Sequence, residues 1–219
     1  MTPTNGIARV SPAANPRETY ILARTSCRWI DKWYSDFMSN PEKILRELDR
    51  HLHGVVDLIL YGRGALSLAF PDYEDWSSTM DIDVIIPTLM VETFDMNSDF
   101  WNGLEKTNST LCDEGLYLTH LFLEEQVILS KDWRNHCKPI RLPGLRNLNL
   151  SRPAIEDLIL TKMMRIDPQD RADIRKLAVY VPQQKNWADI FASAIVPDVP
   201  EIREAFNHNQ EWFRSEVLG

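Results

Sequence analysis

The stretch Val55-Val56-Asp57-Leu58-Ile59-Leu60-Tyr61-Gly62-Arg63-Gly64, read with Asp81-Ile82-Asp83-Val84-Ile85-Ile86-Pro87 further on, decides the fold. The first part reads as an apolar strand, Val55 to Tyr61, that runs into a tight glycine turn. A short helix over Ala65 to Phe70 follows, and Ile82 to Ile86 forms a second strand that opens on two acids. Side chains alternate faces along a strand, so Asp81 and Asp83 point the same way. Between helix and strand, Pro71-Asp72-Tyr73-Glu74-Asp75-Trp76 reads as a surface loop.

The rest of the chain arranges itself around this pair of strands. Residues 1–18 are rich in Pro, Ala, Asn and Thr without periodicity and read as a disordered leader. Trp29, Ile30, Trp33, Tyr34 and Phe37 recur at helical spacing, and Asn40-Pro41 starts a second helix that Gly54 ends. A helix is expected near Asn97 to Cys112, with further strands at Leu116 to Leu123, Gln126 to Leu129 and Pro139 to Leu142. From Ser151 the pattern turns helical: Pro153 to Ile166, Pro168 to Tyr180, Trp187 to Ile195 and Glu201 to Val217. The expected fold class is α+β, a small mixed β-sheet with flanking helices and a helical C-terminal part. Its expected divisions are the leader, a core with N-terminal helices over 19–150, and a helical region over 151–219 packing on that core.

Bulk properties narrow the function classes. A chain of 219 residues with 44% hydrophobic and 26% charged residues has the composition of an ordinary globular domain. Three scattered cysteines do not make a disulfide framework, and no apolar run approaches the roughly 20 residues a membrane helix needs. A cytoplasmic protein without a membrane partner is expected. The net charge of −8 gives a field that repels phosphate backbones, so nonspecific nucleic-acid binding is not advertised.

The chemistry-bearing residues fall in three places. Two carboxylates about 5 Å apart repel by roughly 3 kcal/mol at an effective dielectric near 20, so something positive should offset Asp81 and Asp83. Mg²⁺ suits such a pair, since it favours one or two carboxylates plus substrate phosphates; a structural arginine pair is the alternative. Gly62 and Gly64 flank Arg63 where a strand hands over to a helix, a place where backbone N–H groups and the helix dipole face an anion. The similarity of this turn to a dinucleotide-binding GxGxxG is superficial, because here the acids open the second strand instead of closing it. On the helix from Pro153, Ile155, Leu158, Ile159, Met163 and Ile166 form an apolar stripe into which Lys162 falls. Its ammonium either snorkels or meets an anion, and Arg165 lies one turn on. Asp167 reads as an N-cap and Pro168 as the first helical residue, so Asp170 complements the dipole. Asp173 lies beside the stripe of Ile174, Leu177, Ala178 and Val181, where capping does not explain it.

Strand, Gly62 turn, short helix and Asp81-x-Asp83 together resemble the glycine-turn and DxD signature of the DNA polymerase β-type nucleotidyltransferase superfamily. The run Pro153-Ala154-Ile155-Glu156-Asp157-Leu158 through Lys162, Arg165, Asp170 and Asp173 resembles the helical half of the small abortive-infection toxin-type members. The resemblance implies transfer of a nucleoside monophosphate from an NTP to an acceptor (tRNA, protein or small molecule), with Mg²⁺ or Mn²⁺. A place in toxin–antitoxin or phage defence follows, with a cognate antitoxin as partner. In that scheme Asp81 and Asp83 hold metal; Gly62, Arg63, Gly64, Lys162, Arg165 and Asp170 serve the nucleotide. Asp170 or Asp173 orients Lys162 or completes metal binding. Three departures stand out, one being that the stretch from Arg63 to Asp81 is longer than the family's usual spacing, with residues 71–76 as an insertion in a surface loop. Arg63 replaces a second small residue and either crowds a nucleotide or grips its phosphates. The strand over Leu116 to Leu123 offers Thr119 and His120 where polymerase-like members carry a third carboxylate. A catalytically degenerate protein that binds a nucleotide or a protein partner is the competing reading.

Overall fold

The computed structural model describes residues 38–219, of which 39–219 form one compact unit. The expected leader and the helix around Trp29 to Phe37 lie outside the described residues.

The first described helix, α1 (Asn40–His51), starts as its sequence demands: Ser39 caps it by accepting from the Glu42 N–H, and Pro41 occupies its first turn. Strand β1 (Val56–Tyr61) follows and turns at Gly62 into α2 (Gly62–Ala69), so the glycine turn is itself the first turn of the helix. A short helix α3 (Glu74–Ser77) then leads to β2 (Asp81–Ile86). Of the 71–76 segment, expected as a surface insertion, Pro71, Asp72, Glu74 and Asp75 are exposed as expected, whereas Trp76 is fully buried. An indole that buries its ring and finds a hydrogen-bond partner becomes a fixed point of the fold.

Beyond β2 come α4 (Val91–Asp95), α5 (Ser98–Leu111) and β3 (Tyr117–Leu123). The strand expected at Gln126 to Leu129 is reduced to β4 (Leu129–Ser130), and the one at Pro139 to Leu142 to β5 (Lys138–Ile140). β6 (Leu148–Arg152) has no counterpart in the sequence reading, because two alternating leucines are too short a pattern to announce a strand. The C-terminal part consists of α6 (Ile155–Lys162), α7 (Pro168–Ala178), α8 (Trp187–Ser193), β7 (Ala194–Ile195) and α9 (Pro200–Glu216).

Five strands form one mixed sheet in the order β3-β2-β1-β6-β5, and β4 pairs with β7 in a separate two-stranded ribbon. β1 runs antiparallel to β2 and parallel to β6, while β2 runs parallel to β3. The class is α+β. β6 crosses residue 150, the expected edge of the core region, and pairs with β1 along its length.

Alternation assigns the two faces of the sheet. Val56, Leu58 and Leu60 of β1 and Ile82, Val84 and Ile86 of β2 pack with Ile44, Leu45 and Leu48 of α1 and Phe100 and Leu104 of α5. The opposite face carries Ile85, which packs with Val127, Leu129 and Trp133 against Ile59, Tyr61 and Phe122. Asp81 and Asp83 share that second face by the period-two rule. The C-terminal helices build a further core, in which Leu158, Ile159, Met163, Ile174, Leu177 and Phe213 enclose Leu66 and Trp76. Through those two residues the helical part grips the β1–β2 connection, which is how it comes to stand over the acidic end of the sheet.

Candidate active site

The acidic edge is made by strands. Antiparallel pairing sets Tyr61 opposite Asp83, so the Gly62 turn lies directly beside the Asp83 carboxylate. Gly62 has φ +63°, and a Cβ at this position would overlap Asp83 Oδ2 outright. Two independent constraints therefore demand glycine here: a left-handed backbone and the space a carboxylate occupies. Gly64 is needed for packing, since a Cβ on it would stand 2.9 Å from Ile82 Cδ1. Tyr61 gives α2 no side-chain cap, so the N–H groups of its first turn are not satisfied by a capping side chain.

Asp81 accepts a hydrogen bond from Thr79 Oγ1 at 2.9 Å. His120 Nδ1 stands 3.1 Å from Asp83 Oδ1 and 3.5 Å from Asp81 Oδ2. Burial and the neighbouring Asp81 charge push the Asp83 carboxyl up to about 6, against the opposing pull of His120 and Lys162. Burial, with Asp83 beside it, also raises the Tyr61 hydroxyl. The pair thus keeps the electrostatic cost that the sequence leads one to expect.

The second group is made by helices and is electrostatically complete. Lys162 Nζ lies 3.0 Å from Asp170 Oδ1 and 2.8 Å from Asp173 Oδ2. Arg63 binds Asp173 through two nitrogens, Nε at 3.0 Å and Nη2 at 3.1 Å, and Trp76 Nε1 donates to the same carboxylate at 2.8 Å. Asp173 is fully buried; burial alone would raise its pKa, but the Arg63 bond, the Lys162 charge and bond and the Trp76 bond together hold it below the usual carboxylate range. Asp170 also accepts from Arg165 Nε at 2.6 Å. Asp167 caps α7 as expected, accepting from the Gln169 and Asp170 N–H groups. Lys162, Arg63 and Arg165 are thus matched in number by Asp167, Asp170 and Asp173.

Asp81, Asp83 and His120 face Lys162, Arg165 and Asp170 across a cleft of about 420 Å³, floored by Tyr61, Gly62 and Arg63. The geometry brings together all the sequence-derived site residues except two. Asp173 stands behind the cleft wall, holding Lys162 and Arg63, and Gly64 acts in packing. The Arg63 guanidinium, at the cleft floor, is drawn towards Asp173.

Trp76 and Asn209 are not legible as site residues, and His120 is legible only as one of two residues at the place of a third strand carboxylate. His120 reaches the acids because the β2–β3 register shifts between Ile82 and Asp83, pairing Ile82 with Leu118 but Asp83 with His120. This irregularity passes over Thr119, and nothing in the local pattern announces it. Trp76 holds Asp173 from a segment whose composition reads as a loop. Asn209, fully buried on α9, donates to the Met163 carbonyl at 3.1 Å and to the Arg165 carbonyl at 2.9 Å. It satisfies backbone acceptors at the end of α6, which therefore stops at Lys162 instead of continuing to Ile166.

The donor set fits a divalent cation. One atom each from Asp81, Asp83 and His120 lie within 4.8 Å of one another, and the Asp83 carboxylate is pressed against a glycine that alone leaves room for it. Both acids are under-neutralised and open to the cleft, as ligands for a substrate-borne ion need to be.

An antiparallel strand pair joined by a glycine turn and short helices thus carries two acids on its returning strand, facing a helical wall that holds Lys162 and Arg165. The chain belongs to the family described as nucleotidyltransferase of unknown function (DUF6036), whose model matches residues 42–190. No curated protein and no solved structure matches the chain. The matched span ends within α8, so Asn209 lies beyond it.

Proposed function

We propose that the protein is an Mg²⁺- or Mn²⁺-dependent nucleotidyltransferase that moves a nucleoside monophosphate from an NTP to an acceptor, releasing pyrophosphate. The observation that carries this reading is the opposition, across one cleft, of an uncompensated Asp81/Asp83 pair and the cationic side of Lys162 and Arg165. An NTP chelating a divalent ion matches both sides at once, with cation towards the acids and phosphate oxygens towards the bases.

Asp81, Asp83 and His120 would hold the ion, which supplies Lewis-acid polarisation of the phosphoryl centre and charge neutralisation. Lys162 stands ready for the triphosphate without reorganisation, because Asp170 and Asp173 fix its ammonium at 3.0 and 2.8 Å. Asp173 thereby acts as a positioning residue in this scheme. Arg165, whose side chain is 74% exposed, would exchange Asp170 for a phosphate. Tyr61, Phe122 and Met164 supply the apolar part of the cleft wall, against which a base or sugar packs.

In this proposal the acceptor is a tRNA, a protein or a small molecule, the reaction is cytoplasmic, and a cognate antitoxin is the partner. The test is to incubate the protein with α-labelled NTPs, Mg²⁺ or Mn²⁺, total RNA and cell extract, beside an Asp81→Asn/Asp83→Asn control. Label in an acceptor that disappears in the control supports transfer and identifies the acceptor class. Metal and nucleotide binding without any label supports the competing reading, a binding module without catalysis.

A further inference from the structure

His120 occupies a position that the nucleotidyltransferase chemistry does not by itself require. It stands half exposed on β3, with its Nδ1 within 3.5 Å of an oxygen on each of the two acids. Its ring lies 5.8 Å from that of Phe122, two residues on along the same strand, at an interplanar angle of 36°. The register irregularity at Ile82/Asp83 is what directs it there. Around a six-coordinate ion with bonds near 2.1 Å, neighbouring donors stand about 3 Å apart and opposite ones about 4.2 Å. His120 Nδ1, at 3.1 Å from Asp83 Oδ1 and 3.5 Å from Asp81 Oδ2, stands at about that neighbouring-donor spacing from each acid.

The chemistry of an imidazole differs from that of the carboxylate it stands in for. Mg²⁺ takes oxygen ligands and surrenders water reluctantly, whereas first-row transition ions accept imidazole nitrogen readily. We propose that His120 is a third ligand of the Asp81/Asp83 metal site and biases that site away from Mg²⁺ towards divalent first-row transition ions, Mn²⁺ among them. The proposal rests on the metal-site reading given under Proposed function. The alternative role for the same contact is that of a counter-charge for the acids, which a bound cation would displace. A ligand stays when the ion arrives; a counter-charge leaves.

Electron paramagnetic resonance separates the two roles without recourse to activity. The full-length protein is titrated with Mn²⁺ alone, Mg²⁺ is then added as competitor, and electron spin echo modulation of the bound Mn²⁺ is examined for coupling to ¹⁴N. The variants are His120→Asp, His120→Ala and Asp81→Asn/Asp83→Asn, each checked for fold by circular dichroism. The expected result is nitrogen coupling in the wild-type protein that vanishes in both His120 variants. The ratio of Mg²⁺ to Mn²⁺ dissociation constants should fall about tenfold or more in His120→Asp, which returns an all-oxygen donor set. Mn²⁺ bound at Asp81 and Asp83 with no nitrogen coupling and an unchanged ratio would overturn the role of His120 while leaving the metal site standing. Failure of the wild-type protein to bind Mn²⁺, or binding indifferent to Asp81→Asn/Asp83→Asn, would overturn the metal site itself and the inference with it.

Discussion

The two sides of the cleft are built on opposite electrostatic plans. The helical side buries its two carboxylates and pairs them: Asp173 is held by Arg63, Lys162 and Trp76, and Asp170 by Lys162 and the exposed Arg165. The strand side leaves Asp81 and Asp83 beside each other with a half-exposed histidine, and Asp83 responds by holding its proton up to about pH 6. The difference teaches where stability ends and function begins. A paired buried network costs stability when broken, whereas a like-charge pair costs stability while it stands.

That contrast is easiest to break on the helical side. Asp173→Ala removes the carboxylate that holds Arg63 and leaves the buried Lys162 with Asp170 alone, and should lower folding stability by about 3–5 kcal/mol, read as a large drop in the denaturant midpoint. Lys162→Ala should share part of that loss, because it leaves Asp170 and Asp173 short of a partner; a Lys162 variant is therefore no clean test of transfer.

Asp83→Asn is the sharper probe. It should reduce transfer by at least about 10²–10³-fold in the labelling assay while raising the thermal midpoint of the metal-free protein at neutral pH. The sign follows from the raised pKa. Between its ordinary value of 3.8 and about 6 the folded state binds more protons than the unfolded chain, so the contribution of Asp83 to stability falls as pH rises through that window. Above it the full cost, about 2–3 kcal/mol, is present and asparagine removes it. A variant that loses both activity and stability would show that the strand side is structural after all.

Gly62→Ala joins the two sides, since it strains the left-handed turn and displaces the Asp83 carboxylate. About 1–2 kcal/mol of stability should go, with Mn²⁺ affinity falling alongside, measured by melting and by metal titration. Trp76→Phe keeps the ring but deletes the bond to Asp173, at a cost of about 1–2 kcal/mol in chemical denaturation. The smallest effect is that of pH on metal binding: Mn²⁺ affinity should weaken as pH drops through about 6, where a proton competes for Asp83.

Much of the frame was legible because its signals are local. Val55 to Tyr61 and Ile82 to Ile86 announce strands by apolar run and alternation; Asp167-Pro168 announces a helix start through capping chemistry. Asp81, Asp83, Lys162 and Asp173 attract notice because each is a charge in an apolar pattern. Strand β6 escaped because its central place in the sheet comes from its pairing with β1 and β5 and not from its own composition. Trp76 escaped for a related reason: six residues rich in Asp, Glu and Pro look like a loop until their one indole is placed in another element's core.

The sequence by itself determined which groups could not rest easily where they stand: two acids on one strand face, a lysine within an apolar stripe and a glycine at the strand end. Such misfits follow from periodicity and solvation, which act over a few residues. Only the tertiary structure decided how each is resolved. It gave Lys162 to Asp170 and Asp173, turned Arg63 to Asp173, and shifted one strand register so that His120 faces the acids. Those pairings span separations of up to 110 residues along the chain, and they depend on helix packing and strand register, which no local pattern encodes.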